Sequence, residues 1–344
     1  MKKFWQTLVH QLQKDRQVFL ALVIKHTKGS PGTTGAKMFV SQSGEIFGTI
    51  GGGVMEFELI ERAKEILKHK DFLPEIQTLF HRSSGVGEKS GLICGGSQTN
   101  LYYLCHPQRD RETLEKVVSF LQKDISSCLY IEPEGISVQE QAVILTQPQI
   151  NLIQASGRWL YQEQLLNRNR IAIIGGGHCA LALSRVMQQL DYEVLVFDTR
   201  PLVTTLIQNT YAQFIKIVQN YQETGGLIPF PELTFVVVMT TDFLSDVRAL
   251  LGVLSLPCPF IGVMGSSDKI AQICQCLHAA GVSKNLLSRL YAPVGLSIGS
   301  HTPEEIAISV AAQIIQERHN QLRSLTTPFF STDDLSICDV PTLP

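Results

Sequence analysis

No run of about 18 apolar residues occurs in the chain, which leaves no candidate for a membrane-spanning helix. Charge of neither sign is in excess. Twenty-nine Lys and Arg against 31 Asp and Glu give a formal net charge of −2, without the basic stripe that nucleic acid requires. The eight cysteines form no C-x-x-C pair and the nine histidines do not cluster, so neither a disulfide scaffold nor a metal site is expected. The opening Met1-Lys2-Lys3-Phe4-Trp5-Gln6-Thr7 starts basic and turns amphipathic without an apolar signal core, so the expected setting is the cytoplasm, with reduced thiols. What is present is 344 residues, 44% hydrophobic and 17% charged, enough for two domains with cores of their own.

The pattern changes near the middle, and the expected class is α/β. Residues 1–150 read as a mixed α+β domain, 151–169 as a connector, 170–322 as a Rossmann-type doubly wound parallel-sheet domain, and 323–344 as a loose tail. In the first part Phe4, Leu8 and Leu12 form a helical stripe, and Val18–Ile24 is an apolar strand. Lys37–Ser41 and Glu45–Ile50 read as a hairpin, Val54 to Lys68 as a helix, Ile76–Arg82 and Gln98–Cys105 as strands, and Arg109 to Lys123 as a helix. Further strands are expected near Leu129 and Val143, and a connector helix around Trp159–Leu166. The second part alternates strands (Ile171–Ile174, Val194–Phe197, Phe214–Val218, Phe235–Met239, Phe260–Met264) with helices. Its last helix, from Pro303 to about Glu317, carries Thr302 as N-cap and Glu305 to complete a capping box.

The strongest motif is Ile171-Ala172-Ile173-Ile174-Gly175-Gly176-Gly177-His178-Cys179-Ala180, a strand running through G-x-G-x-x-A into a helix. Gly175 permits the tight turn, Gly177 lets a phosphate approach the backbone, and the helix start adds unpaired N–H groups. Asp198 closes the next strand where a ribose-binding carboxylate belongs, and His178 stands where it can contact an anion or simply face solvent. Arg200 reads first as an ion-pair partner of Asp198, and otherwise as a contact for a 2′-phosphate. Gly51-Gly52-Gly53 forms a second anion cup before a helix, with Glu56 in the first turn as a dipole partner or a site carboxylate. Cys94, followed by Gly95 and Gly96, is a loop thiol suited to ionise, whereas the other cysteines fall on core patterns. Gly32-Thr33-Thr34-Gly35-Ala36-Lys37 lacks the G-K-[S/T] of a phosphate loop, and Gly295-Leu296-Ser297-Ile298-Gly299 lacks the helix that a hydrolase elbow needs at its serine.

With these residues in place, the chain resembles the XdhC and CoxI family of xanthine dehydrogenase accessory proteins over about residues 17–320. In the first part the resemblance rests on Gly29-Ser30-Pro31-Gly32, Gly35-Ala36-Lys37-Met38, Gly48-Thr49-Ile50-Gly51-Gly52-Gly53 with Glu56, and Cys94-Gly95-Gly96. In the second it rests on Gly175-Gly176-Gly177-His178, Asp198-Thr199-Arg200-Pro201, Gly262-Val263-Met264-Gly265-Ser266, Ala292-Pro293-Val294-Gly295-Leu296-Ser297-Ile298-Gly299 and Thr302-Pro303-Glu304-Glu305-Ile306-Ala307. The resemblance implies a maturation factor for molybdenum hydroxylases: a carrier more than a turnover enzyme, binding a molybdopterin-type cofactor, assisting its sulfuration with a cysteine desulfurase, and delivering it to the apo-hydroxylase. Gly51, Gly52, Gly53, Glu56, Cys94, Gly95 and Gly96 would form one site, and Gly175, Gly177, His178 and Asp198 a nucleotide-type site.

The chain departs from the family where relatives carry cysteine at Val54, histidines at Thr241 and Phe243, a basic pair at Ser267 and Asp268, and aspartate at Ser297. The alternative reading is an NAD(P)-dependent oxidoreductase, against which stands the lack of a hydride-transfer constellation. A scaffold with a vacant crevice is a third. Assembly as a homodimer stays open.

Overall fold

The computed structural model describes residues 1–69, 71–81, 96–142, 150–155, 158–166 and 169–325, with side chains through 320. The chain divides into two compact units, Met1–Asn167 and Arg168–Pro344.

The first unit runs α1 (Lys2–Gln13), β1 (Val18–His26), β2 (Lys37–Ser41), β3 (Ile46–Gly48), α2 (Gly53–His69), β4 (Glu75–Phe80), β5 (Ser97–Cys105), α3 (Pro107–Gln122), β6 (Ser127–Glu132), β7 (Gly135–Glu140), β8 (Ile150–Ala155) and β9 (Arg158–Leu165). Strands β3-β2-β1-β5-β4 make one antiparallel sheet and β7-β6-β9-β8 another. Strand alternation divides β1 between two cores. Val18, Leu20, Leu22 and Ile24 meet Trp5, Leu8 and Leu12 of α1, Val117 of α3 and Tyr161 of the second sheet. Phe19, Ala21 and Val23 face the opposite core, closed by Leu59, Ala63 and Leu67 of α2. Each fully buried leucine on such a stripe stabilises by about 1.5–3 kcal/mol, so these helices are held by their faces more than by propensity.

The stretch read as a connector belongs to this unit. Residues 150–155 and 158–165 are strands β8 and β9, and no helix forms at Trp159–Leu166. The two-residue period was hidden because the inward row of β9, between the buried Tyr161 and Leu165, carries a charge. Glu163 on that row is paired with Lys37 of β2 at 2.6 Å, both side chains buried, and accepts from the Tyr161 hydroxyl at 2.9 Å. The strand expected near Val143 lies outside the described residues, as does the tail beyond residue 325.

The second unit runs β10 (Arg170–Ile174), α4 (His178–Gln189), β11 (Glu193–Asp198), α5 (Thr204–Ile207), β12 (Phe214–Ile217), β13 (Thr234–Val238), α6 (Phe243–Val253), β14 (Phe260–Val263), α7 (Ser267–Ala279), α8 (Lys284–Leu287), β15 (Leu290–Tyr291) and α9 (Pro303–Leu325). Its parallel sheet has the order β12-β11-β10-β13-β14-β15, the 3-2-1-4-5-6 order of dinucleotide-binding folds. Alternation again splits the strands. Ile171, Ile173, Val194 and Val237 pack under α4 and α9, while Ala172, Ile174, Val236 and Val238 pack under α6 and α7. The start signals of α9 are as read: Glu305 accepts from Thr302 N at 3.0 Å and His301 N at 2.8 Å. Among the described residues, no helix is long and apolar enough to cross a membrane.

Candidate functional site

In the first unit, β1, β3 and β4 finish, and β2 and β5 begin, at one end of the five-stranded sheet. The motif loops gather there. Glu56 Oε2 accepts from Thr49 Oγ1 at 2.6 Å, Ile50 N at 2.9 Å and Gly52 N at 3.0 Å, while Gly51 N donates to Thr49 Oγ1 at 3.1 Å. The cup expected to hold an outside anion therefore holds the carboxylate of Glu56, with Gly53 opening α2 beside it. Val54 is 51% exposed on the first turn of α2.

Buried Gln98 joins the loops. Its Oε1 accepts from Ser30 Oγ at 3.0 Å and Gly32 N at 3.2 Å, and its Nε2 donates to Ile50 O at 2.9 Å and Asn100 Oδ1 at 3.0 Å. With the Ser30 proton on Gln98, Nε2 of His81 is left to donate to Ser30 Oγ at 3.2 Å. Burial pushes the His81 imidazole pKa down, which favours this neutral donor form. The packing is backbone on backbone, since a Cβ on Gly51 (φ +133°) would lie 2.7 Å from Gly32 N. Gly96 joins the cluster through its carbonyl, which accepts from His81 N at 3.0 Å. Cys94 and Gly95 lie outside the described residues.

On the other face of the same strand ends, a half-open cavity of about 560 Å³ is lined by Ile24, Ile76 and Leu152, with Asn151 and Gln154 beside them. Lys25 lines it, with the hydroxyl pair of Thr78 and Thr99 at 2.9 Å. It lies at the root of the β4–β5 connection, the segment in whose sequence Cys94 falls.

In the second unit the glycine turn follows β10 at the point where the sheet order reverses, the position at which such folds bind ligands. Gly175 takes φ +113°, and a Cβ there would lie 2.4 Å from Met239 O. Asp198 is fully buried, and Arg200 grips it. Oδ1 accepts from Arg200 N at 2.8 Å and Nε at 2.9 Å; Oδ2 accepts from Arg200 Nη2 at 2.8 Å and Gly176 N at 2.6 Å. Burial alone would push the Asp198 carboxyl up, but the hydrogen bonds from Arg200 and Gly176 together outweigh it and hold the pKa below the ordinary carboxylate range. Of the two readings of Arg200, the ion pair is the one present. Gly177 caps α4 in open space, and His178 stands exposed at its first position.

Side chains also fix the starts of α6 and α7. Asp242, between Thr241 and Phe243, caps α6 by accepting from Ser245 N at 2.9 Å. Lys269, the cation left after Ser267 and Asp268, reaches buried Asp246 at 2.5 Å, which in turn accepts from Thr240 Oγ1 at 2.6 Å. Sequence reading missed His81, Gln98 and Asp246. Only Gln98 had a signal, since Gln98-Thr99-Asn100 is a polar start to an otherwise apolar strand. Cys276, assigned to the core from its helix, is exposed.

Comparison with known proteins finds matches to both units. The model of the XdhC Rossmann domain matches residues 171–314, and that of the XdhC and CoxI family matches residues 11–73. The Escherichia coli (strain K12) protein YqeB, described as uncharacterized, is 24% identical over 321 residues, 90% of this chain but 45% of that protein. The chain thus spans less than half the length of that relative. A Bacillus subtilis (strain 168) protein described as a probable xanthine dehydrogenase component is 23% identical over 333 residues, 91% of this chain and 97% of the relative. A crystal structure described as a xanthine dehydrogenase from Bacillus halodurans shares the fold, with a TM-score of 0.72 at 22% identity over 94% of this chain and 98% of that one. The two family models together span more than half of the chain, in the order of its two units, and the chain belongs to the XdhC and CoxI family.

Proposed function

We propose that the protein is an accessory factor for a molybdenum hydroxylase of the xanthine dehydrogenase type, which holds the molybdenum cofactor while it is sulfurated and hands it to the apo-hydroxylase. The observation that carries this reading is the convergence of the Gly29–Gly32, Gly48–Gly53 and Gly96 loops on one end of the first unit's sheet, around Ser30, His81 and Gln98. Relatives whose names refer to xanthine dehydrogenase support the choice of client.

The residues present fit a phosphate-bearing pterin. The cavity of about 560 Å³ on the opposite face of these strand ends lies within the range of small-molecule sites, and its lining mixes Ile24, Ile76 and Leu152 with the polar groups of Lys25, Thr78, Thr99 and Asn151. When bound, the cofactor supplies the metal and the sulfur that the client uses; the chain supplies the hold. Glu56 keeps the Gly51–Gly53 turn folded when no anion is there, and Cys94 is the thiol assigned to the metal or its sulfur, with a cysteine desulfurase as sulfur donor. The rival NAD(P)-dependent oxidoreductase needs the Asp198 carboxylate, whose acceptor positions are taken.

Deleting the gene should leave the client hydroxylase present as protein but inactive, and Cys94→Ser should fail to restore it while folding normally. Full hydroxylase activity in the deletion strain would remove the accessory role. Full restoration by Cys94→Ser would remove only the thiol.

A further inference from the structure

We propose that Arg200 is a built-in substitute for a ribose diol, the specificity-determining residue that closes the second unit's crevice to dinucleotides. In dinucleotide-binding folds of this strand order, the acidic residue ending the second strand receives the ribose hydroxyls. Asp198 ends that strand here, so the architecture invites a nucleoside. The chain answers the invitation itself.

A carboxylate offers about four lone-pair positions. All four are filled on Asp198, three by Arg200 and one by Gly176 N. The guanidinium Nε and Nη2 take one oxygen each, at 2.9 Å and 2.8 Å, the two-pronged contact that adjacent ribose hydroxyls would make. The guanidinium brings a full opposite charge to the carboxylate, whereas a ribose hydroxyl brings none, so the exchange is unfavourable for the sugar. Asp198 is fully buried, so no water-exposed lone pair remains for an entering ligand.

Segment 204–207 adds a second barrier. Thr205 Oγ1 donates to Gly176 O at 2.5 Å, so both polar groups of the Gly176 peptide are engaged inside the protein. Buried Leu206 covers the turn, with its Cδ1 2.7 Å from where a Cβ on Gly176 would stand. Residues that follow β11 thus pack directly against the Gly176 turn. The ligand class excluded is any nucleotide that presents a free ribose diol, including the nucleotide-tailed forms of a pterin cofactor. This goes beyond the accessory role and does not depend on it.

Calorimetric titration of the full chain with ADP-ribose, and separately with NAD⁺, tests the proposal. The wild type should give no binding signal up to millimolar ligand. Arg200→Ala, checked for folding by circular dichroism, should gain ADP-ribose affinity on the order of tenfold or more, about the worth of one regained hydrogen-bonded pair. Arg200→Lys frees one carboxylate oxygen while keeping the charge. It should gain less, and it carries the test if Arg200→Ala does not fold. Micromolar binding of either ligand by the wild type would overturn the closed crevice. Folded variants that bind no better than wild type would overturn Arg200 as its gate.

Discussion

The Gly51–Gly53 turn and the Gly175–Gly177 turn both follow a strand and open a helix, and in both the loop amides meet a carboxylate supplied by the chain itself. In the first unit that carboxylate is Glu56, half-buried, with three donors on one oxygen and no ion-pair partner among the described residues. In the second it is Asp198, fully buried, with both oxygens saturated and a guanidinium clamped on it. A carboxylate still in contact with water can be exchanged for another anion at small cost. A buried, ion-paired one cannot, because removal leaves the partner charge unmet. Similar sequence thus yields one turn that can open and one that is shut.

The largest test of this contrast lies in the backbone. Gly175→Ala should destabilise the second unit by about 3–5 kcal/mol, since the added methyl meets a strand-end carbonyl in a conformation that side chains rarely adopt. Gly51→Ala should do less to the first unit, about 2–3 kcal/mol, because its neighbour Gly32 belongs to a loop that can shift. Urea unfolding separates the two. Both tryptophans, Trp5 and Trp159, lie in the first unit, so their fluorescence follows that unit while far-ultraviolet dichroism follows both. Equal losses would make the two turns equally rigid.

The carboxylates come next. Asp198→Asn places an amide against donors and leaves Arg200 unpaired. The expected loss is about 2–3 kcal/mol, below the figure for a fully buried pair because the Arg200 side chain is 39% exposed. Glu56→Ala should cost only about 1 kcal/mol, as water can reach the freed amides. The folded pKa of Asp198 lies below its unfolded value, so its contribution is complete above about pH 4 and is lost as pH falls through the lower folded pKa. Asp198→Asn should flatten that part of the acid unfolding curve. A loss from Glu56→Ala as large as that from Asp198→Asn would erase the distinction between the turns.

How much of this was legible in the sequence depends on range. The parallel sheet was readable because each strand is a short apolar run with a glycine turn or an acid at its end, all local signals. Strand β9 was not readable, because Glu163 on its inward row makes sense only with Lys37 opposite, 126 residues away. The glycine cups were recognised as turns, but their contents were not. Whether Gly52 N and Gly176 N face a ligand or a side chain depends on Glu56 and Asp198 folding back onto them. The Ser30–His81–Gln98 network joins three separate segments, so no single motif announces it.

The smallest expected effect is the most discriminating. Gly177 is the N-cap of α4, with φ −78° and ψ −169°, an extended conformation open to any residue, and nothing stands within 4 Å of where its Cβ would be. No side chain caps α4. Gly177→Ser should therefore be tolerated and slightly stabilising, by about 0.5 kcal/mol, through a new bond to an amide of the first turn and a less flexible unfolded chain. That corresponds to a rise of roughly 1–2 °C in melting temperature. With the ribose side closed by Arg200 and Leu206, the variant should also support hydroxylase activation as well as the parent. The glycine would matter only if a ligand pressed against the backbone there. A stable Gly177→Ser that lost activation would show such a ligand at the turn, and the shut and open turns would then have to change places.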